Sequence, residues 1–110
     1  VSRNQDDHTK NISFLMDRDG TWRLSPAYDV VYAFNPGGEW TSRHQMSING
    51  KRDYFAREDF LAVGTEMNIK GADAIIAEIV DVVSRWPDYA ADAGVDSPKI
   101  TSIGAQHRRF

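Results

Sequence analysis

The chain of 110 residues is as long as one ordinary domain, and its 41% hydrophobic and 26% charged residues are typical of a folded globular protein rather than a disordered segment. Its 13 Lys and Arg residues against 16 Asp and Glu residues give a formal net charge of −3, which excludes a general basic surface for nucleic acids or anionic lipids. The chain has no Cys and no apolar run long enough for a membrane span, so we expect a cytoplasmic protein that forms a single domain over residues 1–110.

The first predicted element is a β-hairpin. Residues 11–16 are apolar and β-compatible, residues 17–20 form a turn cluster, and residues 21–24 are again β-prone. Pro26 ends the second strand, because its nitrogen cannot donate to a β-ladder. Asp29 therefore lies in a loop just beyond a strand.

A second hairpin is predicted over residues 45–55. Residues 45–48 and residues 51–55 flank the dipeptide Asn49-Gly50. This dipeptide suits the two positive φ angles of a type I′ turn, so it is the strongest short hairpin signal in the chain.

From residue 56 onward the spacing of apolar residues changes from two to about 3.6, which indicates helices. The first predicted helix runs over residues 57–67 and is closed by Asn68. The second is amphipathic from residue 72 until Pro87, with charged residues between its apolar ones. This regular pattern is typical of a packing helix and does not indicate chemistry.

A last helix is predicted to open at Ser97-Pro98, a cap residue followed by Pro at the first helical position. Residues 107–109 (HRR) would place favourable positive charge near its C-terminal end. These elements together predict an α+β fold that is mainly helical, with two small β-hairpins and three or four packed helices.

The densest chemistry in the chain lies in residues 4–11 (NQDDHTKN), just ahead of the first strand. Phosphoryl transfer needs a carboxylate that accepts or orients the proton of the attacking hydroxyl, and it needs oxygen ligands for Mg²⁺. Asp6 and Asn11 supply both types, at the spacing of the Asp and Asn in a protein-kinase catalytic loop. Asp29 can return across the hairpin as a second metal carboxylate. Asp7 is expected to be an exposed neighbour of the base rather than a participant.

Two motifs carry a resemblance to a known family. Residues 6–11 (DDHTKN) and residues 24–29 (LSPAYD) resemble the signature of HipA-like serine/threonine kinases. In that family the pattern is Asp-x-His-x-Lys-Asn, followed by Leu-(Ser or Thr)-Pro-x-Tyr-Asp in place of the Asp-Phe-Gly of ordinary protein kinases. Residues 45–54 (QMSINGKRDY) and the helical tail also fit, so the whole chain resembles the C-terminal portion of such a kinase, which is part of a kinase C-terminal lobe.

The resemblance implies a role for each residue of the two motifs. Asp6 would be the catalytic base, and Asn11 and Asp29 would be the Mg²⁺ ligands. His8 would brace the loop by hydrogen bonding, without transferring a proton. Lys10, near the metal site, would meet a phosphate of the nucleotide or the developing charge.

The resemblance also implies a setting for the parent enzyme. The parent would use ATP and Mg²⁺ to phosphorylate a Ser or Thr hydroxyl on a protein such as an aminoacyl-tRNA synthetase. It would be the toxin of a bacterial toxin–antitoxin pair, restrained by a small DNA-binding antitoxin, with no nucleic-acid or membrane binding expected of this fragment. The phosphate-covering glycine-rich loop and its Lys belong upstream of a catalytic loop, and the chain contains neither. We therefore expect the fragment alone to be inactive.

Two alternatives remain open from the sequence. A lipid or small-molecule kinase is one, because Asp-x-His-x-x-Asn also occurs in phosphoinositide kinases, although residues 25–29 (SPAYD) argue against it. The other is a non-catalytic kinase remnant that binds an antitoxin or another partner. Arg43 and His44, in the loop after Asp29, lie where a kinase accepts its protein substrate, by analogy only.

Overall fold

The computed structural model describes all residues from 1 to 110 and has four α-helices and one two-stranded antiparallel sheet. A short 3₁₀ turn at Thr9–Asn11 comes first, followed by strands β1 (Phe14–Met16) and β2 (Trp22–Leu24). The helices are α1 (Arg57–Glu66), α2 (Ala72–Ser84), α3 (Trp86–Asp92) and α4 (Ser97–Gly104). The predicted α+β class is confirmed, and none of the helices is both long and apolar enough to cross a lipid bilayer.

The first hairpin forms at the predicted place with shorter strands, because Asn11 belongs to the 3₁₀ turn rather than to β1. Its strands pair antiparallel with Phe14 opposite Leu24 and Met16 opposite Trp22. The turn between them is held by the Asp17 carboxylate, which accepts hydrogen bonds from the backbone N–H groups of Asp19 and Thr21. All six strand residues are exposed, so the hairpin projects from the rest of the chain.

The second predicted hairpin shrinks to a single bridge between Ile48 and Lys51. The turn itself is correct, since Asn49 and Gly50 both have the positive φ of a type I′ turn. The strands over 45–48 and 51–55 do not form. One reason is Tyr54, whose φ of 53° breaks the extended backbone. A further reason is that an isolated two-stranded ribbon gains little stability without a third strand.

Helix α1 begins at the predicted residue and ends at Glu66, one residue before the predicted end. The carboxylate of Asp59, at its third position, accepts the backbone N–H of Ala56 at 2.8 Å and so satisfies one unpaired donor of the first turn. At the other end Asn68 has a φ of 53°, the left-handed conformation that closes a helix. Helices α1 and α2 approach closely at Gly64, where an added Cβ would lie 2.6 Å from the Cβ of Ala72.

The second predicted helix stops short of Pro87. Helix α2 ends at Ser84, and Pro87 lies in the first turn of a separate helix, α3, which the sequence pattern did not separate from α2. Pro lacks an N–H and its ring crowds the preceding turn, so a continuous helix is broken there. The Trp86 indole N–H then donates to the Ile100 carbonyl at 2.9 Å, which ties α3 to α4.

The C-terminal residues differ from the prediction. Asp96, not Ser97, occupies the N-cap position of α4, and the helix ends at Gly104. Residues 107–109 therefore lie beyond the helix and do not serve its C-terminus. Instead the Arg108 guanidinium forms an ion pair with Asp53 and lies over the ring of Phe55. Both partners lie in the segment just before α1.

The chain covers little of its own apolar surface. Ala90 is the only fully buried apolar side chain, and the accessible surface is 8081 Å². A compact monomer of 12.4 kDa would expose about 6,100 Å². Ile75 and Ile79, one turn apart on α2, are about half exposed. Exposed apolar faces of this kind are typical of surfaces that contact other protein segments.

Candidate active site

The loop that carries the first motif is braced by its own backbone. The Asn11 N–H donates to the His8 carbonyl at 3.0 Å, which closes the 3₁₀ turn. In return the His8 N–H donates to the Asn11 side-chain oxygen at 3.2 Å. This pair of contacts fixes the direction of the Asn11 amide.

The second motif docks onto the first through two side chains. The Tyr28 hydroxyl donates to the Lys10 carbonyl at 2.6 Å, and the Asn11 amide N–H donates to Asp29 Oδ2 at 2.6 Å. The Ser13 and Ser25 hydroxyl groups, 2.9 Å apart, join the two ends of the hairpin beside them. The structure therefore brings Asn11 and Asp29 together, although 18 residues separate them along the chain.

Asp29 has an unusual backbone conformation. Its φ is 54°, in the left-handed region that few residues other than Gly adopt, although Asp is among those that tolerate it best. Such backbone strain occurs frequently at functional sites, where it fixes the direction of a side chain. The exposed Asp29 carboxylate forms no ion pair in the chain and accepts one hydrogen bond, from Asn11.

Asp6 is held from the other side of the site. Its Oδ1 accepts a hydrogen bond from the Gln45 side-chain amide at 2.8 Å. No side chain or backbone group of the chain donates to its Oδ2. Asp6 is half-buried, so one oxygen is anchored and the other is left for a further partner.

Asp7 is not the exposed bystander that the sequence suggested. Its Oδ1 accepts the Gln45 N–H at 2.8 Å, and its Oδ2 lies 2.9 Å from His44 Nδ1. The side chains of Asp7 and His44 are only 24% and 16% exposed. The predicted exposure was wrong because the partners of Asp7 lie 37 and 38 residues away, and no local pattern indicates that contact.

His8 and Lys10 have different surroundings. The loop contact of His8 comes from its backbone N–H rather than its ring, and its ring Nδ1 is buried without a hydrogen-bond partner. The bracing role predicted for the imidazole ring is therefore taken by the backbone. Lys10 is exposed, and its ammonium group forms no ion pair, so it is available to an anionic ligand.

The Asp59 carboxylate, in the first turn of α1, has a strongly shifted pKa. The N–H of Ala56, the Lys51 ammonium and the Asn49 amide all donate to Asp59, and they lower its pKa from 3.8 to about 2. Asp59 thereby fastens the turn at Asn49-Gly50 to helix α1. The segment that contains His44 and Gln45 leads directly into this turn.

A family model described as the HipA-like C-terminal domain matches residues 1–86. The chain belongs to this family. The match covers both motifs of this HipA-like domain, together with Gln45, and it stops where α3 begins. Comparisons with curated proteins and with solved structures gave no match. The predicted resemblance to HipA-like proteins is confirmed over the part of the chain that contains the site.

The donor chemistry at Asn11 and Asp29 fits Mg²⁺. This cation prefers oxygen ligands and is commonly held by one or two carboxylates together with waters and substrate phosphates. The pair offers one carboxylate and one amide oxygen, and no cationic side chain competes for Asp29. For its oxygen to join Asp29 at a metal ion, the Asn11 amide would have to turn over, which gives up both its N–H contact with Asp29 and the His8 N–H contact to its oxygen. Sequence reasoning predicted this pair, but it did not predict the contacts that join Asp6 and Asp7 to His44 and Gln45.

Proposed function

We propose that this chain carries the base and the metal ligands of an ATP-dependent serine/threonine protein kinase of the HipA type. The observation that carries the proposal is the 2.6 Å contact between the Asn11 amide and the Asp29 carboxylate, with Asp6 on the same loop. Two oxygen-bearing side chains from separate motifs thus meet, and Asp6 lies five residues before Asn11 on the loop of the first motif. A carboxylate base and a pair of hard oxygen ligands are what phosphoryl transfer requires.

Asp6 would act as the base. A substrate Ser or Thr hydroxyl attacks the γ-phosphorus of ATP, the bond to the bridging β–γ oxygen breaks, and ADP leaves. The hydroxyl proton passes to Asp6. The anchored Oδ1 fixes the carboxylate while Oδ2, which has no partner in the chain, accepts that proton.

Asn11 and Asp29 would hold the magnesium ion, which neutralises charge on the β- and γ-phosphates. Asn11 reaches the site from the end of the 3₁₀ turn, and the strained backbone of Asp29 directs its carboxylate to the same point. Lys10 would contribute its unpaired ammonium group to the phosphates of the nucleotide.

The chain would work as part of a larger kinase. The exposed apolar residues of the first hairpin support this, and so do Ile75 and Ile79 on α2, because a complete enzyme usually buries apolar surface of this extent. The protein substrate, such as an aminoacyl-tRNA synthetase, and a small DNA-binding antitoxin are the partners that the family's setting suggests. We expect the chain alone to be inactive, since it contains no glycine-rich loop that could cover ATP.

The test compares carboxylate variants in the kinase that contains this chain. Transfer of labelled γ-phosphate from ATP to the proteins of a bacterial extract is measured at saturating ATP. We expect Asp6→Asn to lower the rate about 10²- to 10⁴-fold, as loss of a general base does. We expect Asp29→Asn, which tolerates the left-handed backbone, to weaken Mg-ATP binding.

The matched control is Asp92→Asn, since Asp92 is exposed at the end of α3 and makes no ion pair. It should leave both the rate and nucleotide binding unchanged. Full activity in Asp6→Asn would contradict the assignment of the base. Unchanged magnesium dependence of ATP binding in Asp29→Asn would contradict the assignment of the metal ligand.

A further inference from the structure

Gln45 makes two hydrogen bonds to neighbouring carboxylates at the site. Its side-chain amide donates to Asp6 Oδ1 and its backbone N–H donates to Asp7 Oδ1, each at 2.8 Å. These donors come from a segment 38 to 39 residues further along the chain. No other side chain donates to Asp6.

Gln45 is itself held in place by its neighbours. The Asp7 carboxylate accepts hydrogen bonds from the Gln45 backbone N–H and from His44 Nδ1. One carboxylate thus binds two consecutive residues. The His44 ring then packs edge-on against Phe55, with ring centroids 5.2 Å apart. Backbone contact between the His44 N–H and the Arg52 carbonyl, at 3.0 Å, anchors the segment to the chain beyond the Asn-Gly turn.

We propose that Gln45 is a positioning residue for phosphoryl transfer, with Asp7 and His44 holding it against Asp6. This inference rests on the proposed function, in which Asp6 is the base. A lone aspartate side chain can rotate about two bonds, and a base must lie within hydrogen-bond reach of the proton that it removes. The Gln45 amide removes that freedom by occupying Oδ1. Oδ2 is then presented in one direction.

An amide suits this position better than a charged group. The uncharged N–H donor of Gln45 fixes the carboxylate without forming an ion pair, so Asp6 stays available to receive a proton. A Lys or Arg here would favour the ionised form of the carboxylate much more strongly and weaken it as a base. The two adjacent carboxylates accept hydrogen bonds from different groups of Gln45. Asp6 accepts the side-chain amide N–H and Asp7 accepts the backbone N–H, so each carboxylate can have a separate role.

The test is Gln45→Met in the kinase that contains this chain, because Met keeps the length of the side chain and loses the donor. We expect the turnover rate of labelled phosphate transfer to protein to fall about 10- to 100-fold, the range for loss of a residue that orients a functional group. The KM for ATP should stay within about twofold, since Gln45 contacts no metal ligand. Gln106→Met makes the same change at an exposed Gln whose side chain has no partner, and it should have no effect.

A double-mutant cycle separates this role from a general effect on folding. If Gln45 acts through Asp6, adding Gln45→Met to Asp6→Asn should lower the rate no further. A multiplicative loss in the double variant would overturn the inference, and so would a normal turnover rate in Gln45→Met. Should Gln45→Met lose its cooperative unfolding, Gln45→Leu, which also removes the donor and adds no charge, replaces it in the same cycle, and the same outcomes then decide the inference.

The two levels of the argument fail differently. If Asp6→Asn retains full activity, the proposed base is wrong and the positioning role is lost with it. If Asp6→Asn is inactive while Gln45→Met turns over normally, the proposed function survives and only the role of Gln45 is overturned.

Discussion

The close approach of α1 and α2 at Gly64 predicts a substitution with opposing effects. Replacing Gly by Ala inside a helix ordinarily stabilises it by about 1 kcal/mol. Here the new Cβ would lie 2.6 Å from the Cβ of Ala72, far inside the usual carbon–carbon contact distance of about 3.5–4.0 Å. The helices would have to separate by about 1 Å, and overpacking of this kind costs about 1–3 kcal/mol. We expect Gly64→Ala to be destabilising by about 1 kcal/mol in net terms.

Urea unfolding, monitored by circular dichroism, measures this change in the free energy of unfolding. The matched control is the double variant Gly64→Ala/Ala72→Gly, which moves the methyl group from α2 to α1. Relief of the clash should return its stability to near that of the wild type, because the loss at Ala72 and the helix-propensity gain at residue 64 nearly cancel. A Gly64→Ala variant that is more stable than the wild type would refute the close approach of the two helices.

Two further predictions concern charged contacts outside the site. The pKa of Asp59 is held below its unfolded value, so its contribution to stability is present above about pH 4 and is lost as the pH falls towards about 2. The difference in unfolding free energy between the wild type and Asp59→Asn should therefore be largest at neutral pH and shrink over that window; a difference independent of pH would contradict this. Arg108→Met should lower the free energy of unfolding by about 1–3 kcal/mol, because it leaves the half-buried Asp53 without its ion-pair partner and with only the Tyr54 N–H as a donor. Arg109→Met, at an exposed residue without an ion pair, is the control, and equal effects of the two changes would rule out a specific role for the Arg108–Asp53 pair.

Local signals in the sequence predicted the parts of the fold that local interactions decide. The turn at Asn49-Gly50 follows from residues that accept positive φ, and the end of α1 follows from Asn68 for the same reason. The 3.6-residue spacing located α1, α2 and α4, although it ran α2 on to Pro87 and did not separate α3. In each case the energy that selects the structure comes from residues within a few positions of one another.

The errors lie where a distant partner decides the outcome. Residues 51–55 have the composition of a strand, but Lys51 is drawn to Asp59 and the backbone turns at Tyr54. The basic residues 107–109 have the composition of a helix C-terminus. Arg108 nevertheless pairs with Asp53, which lies 55 residues earlier in the sequence. No periodicity or turn motif encodes such pairings, and single-sequence reasoning therefore misses them.

The candidate site shows the same division. Asp6, Asn11 and Asp29 were predicted because their residue types match a chemistry and a family motif, and the structure brings Asn11 and Asp29 into contact. The group that holds Asp6 was missed, because a Gln and a His in a loop carry no chemical signature of their own. Their contacts with Asp6 and Asp7 become visible only in the folded chain.

The two halves of the site are braced by different parts of the chain. Asn11 and Asp29 depend on the first hairpin and on Tyr28, whereas Asp6 depends on Gln45 and the segment that follows it. Within the chain no hydrogen bond joins the side chain of Asp6 to either proposed metal ligand. A change in one brace should therefore alter either nucleotide binding or the proton-accepting step while leaving the other intact. This separation is why turnover and ATP affinity, measured side by side, can assign each residue to its half of the site.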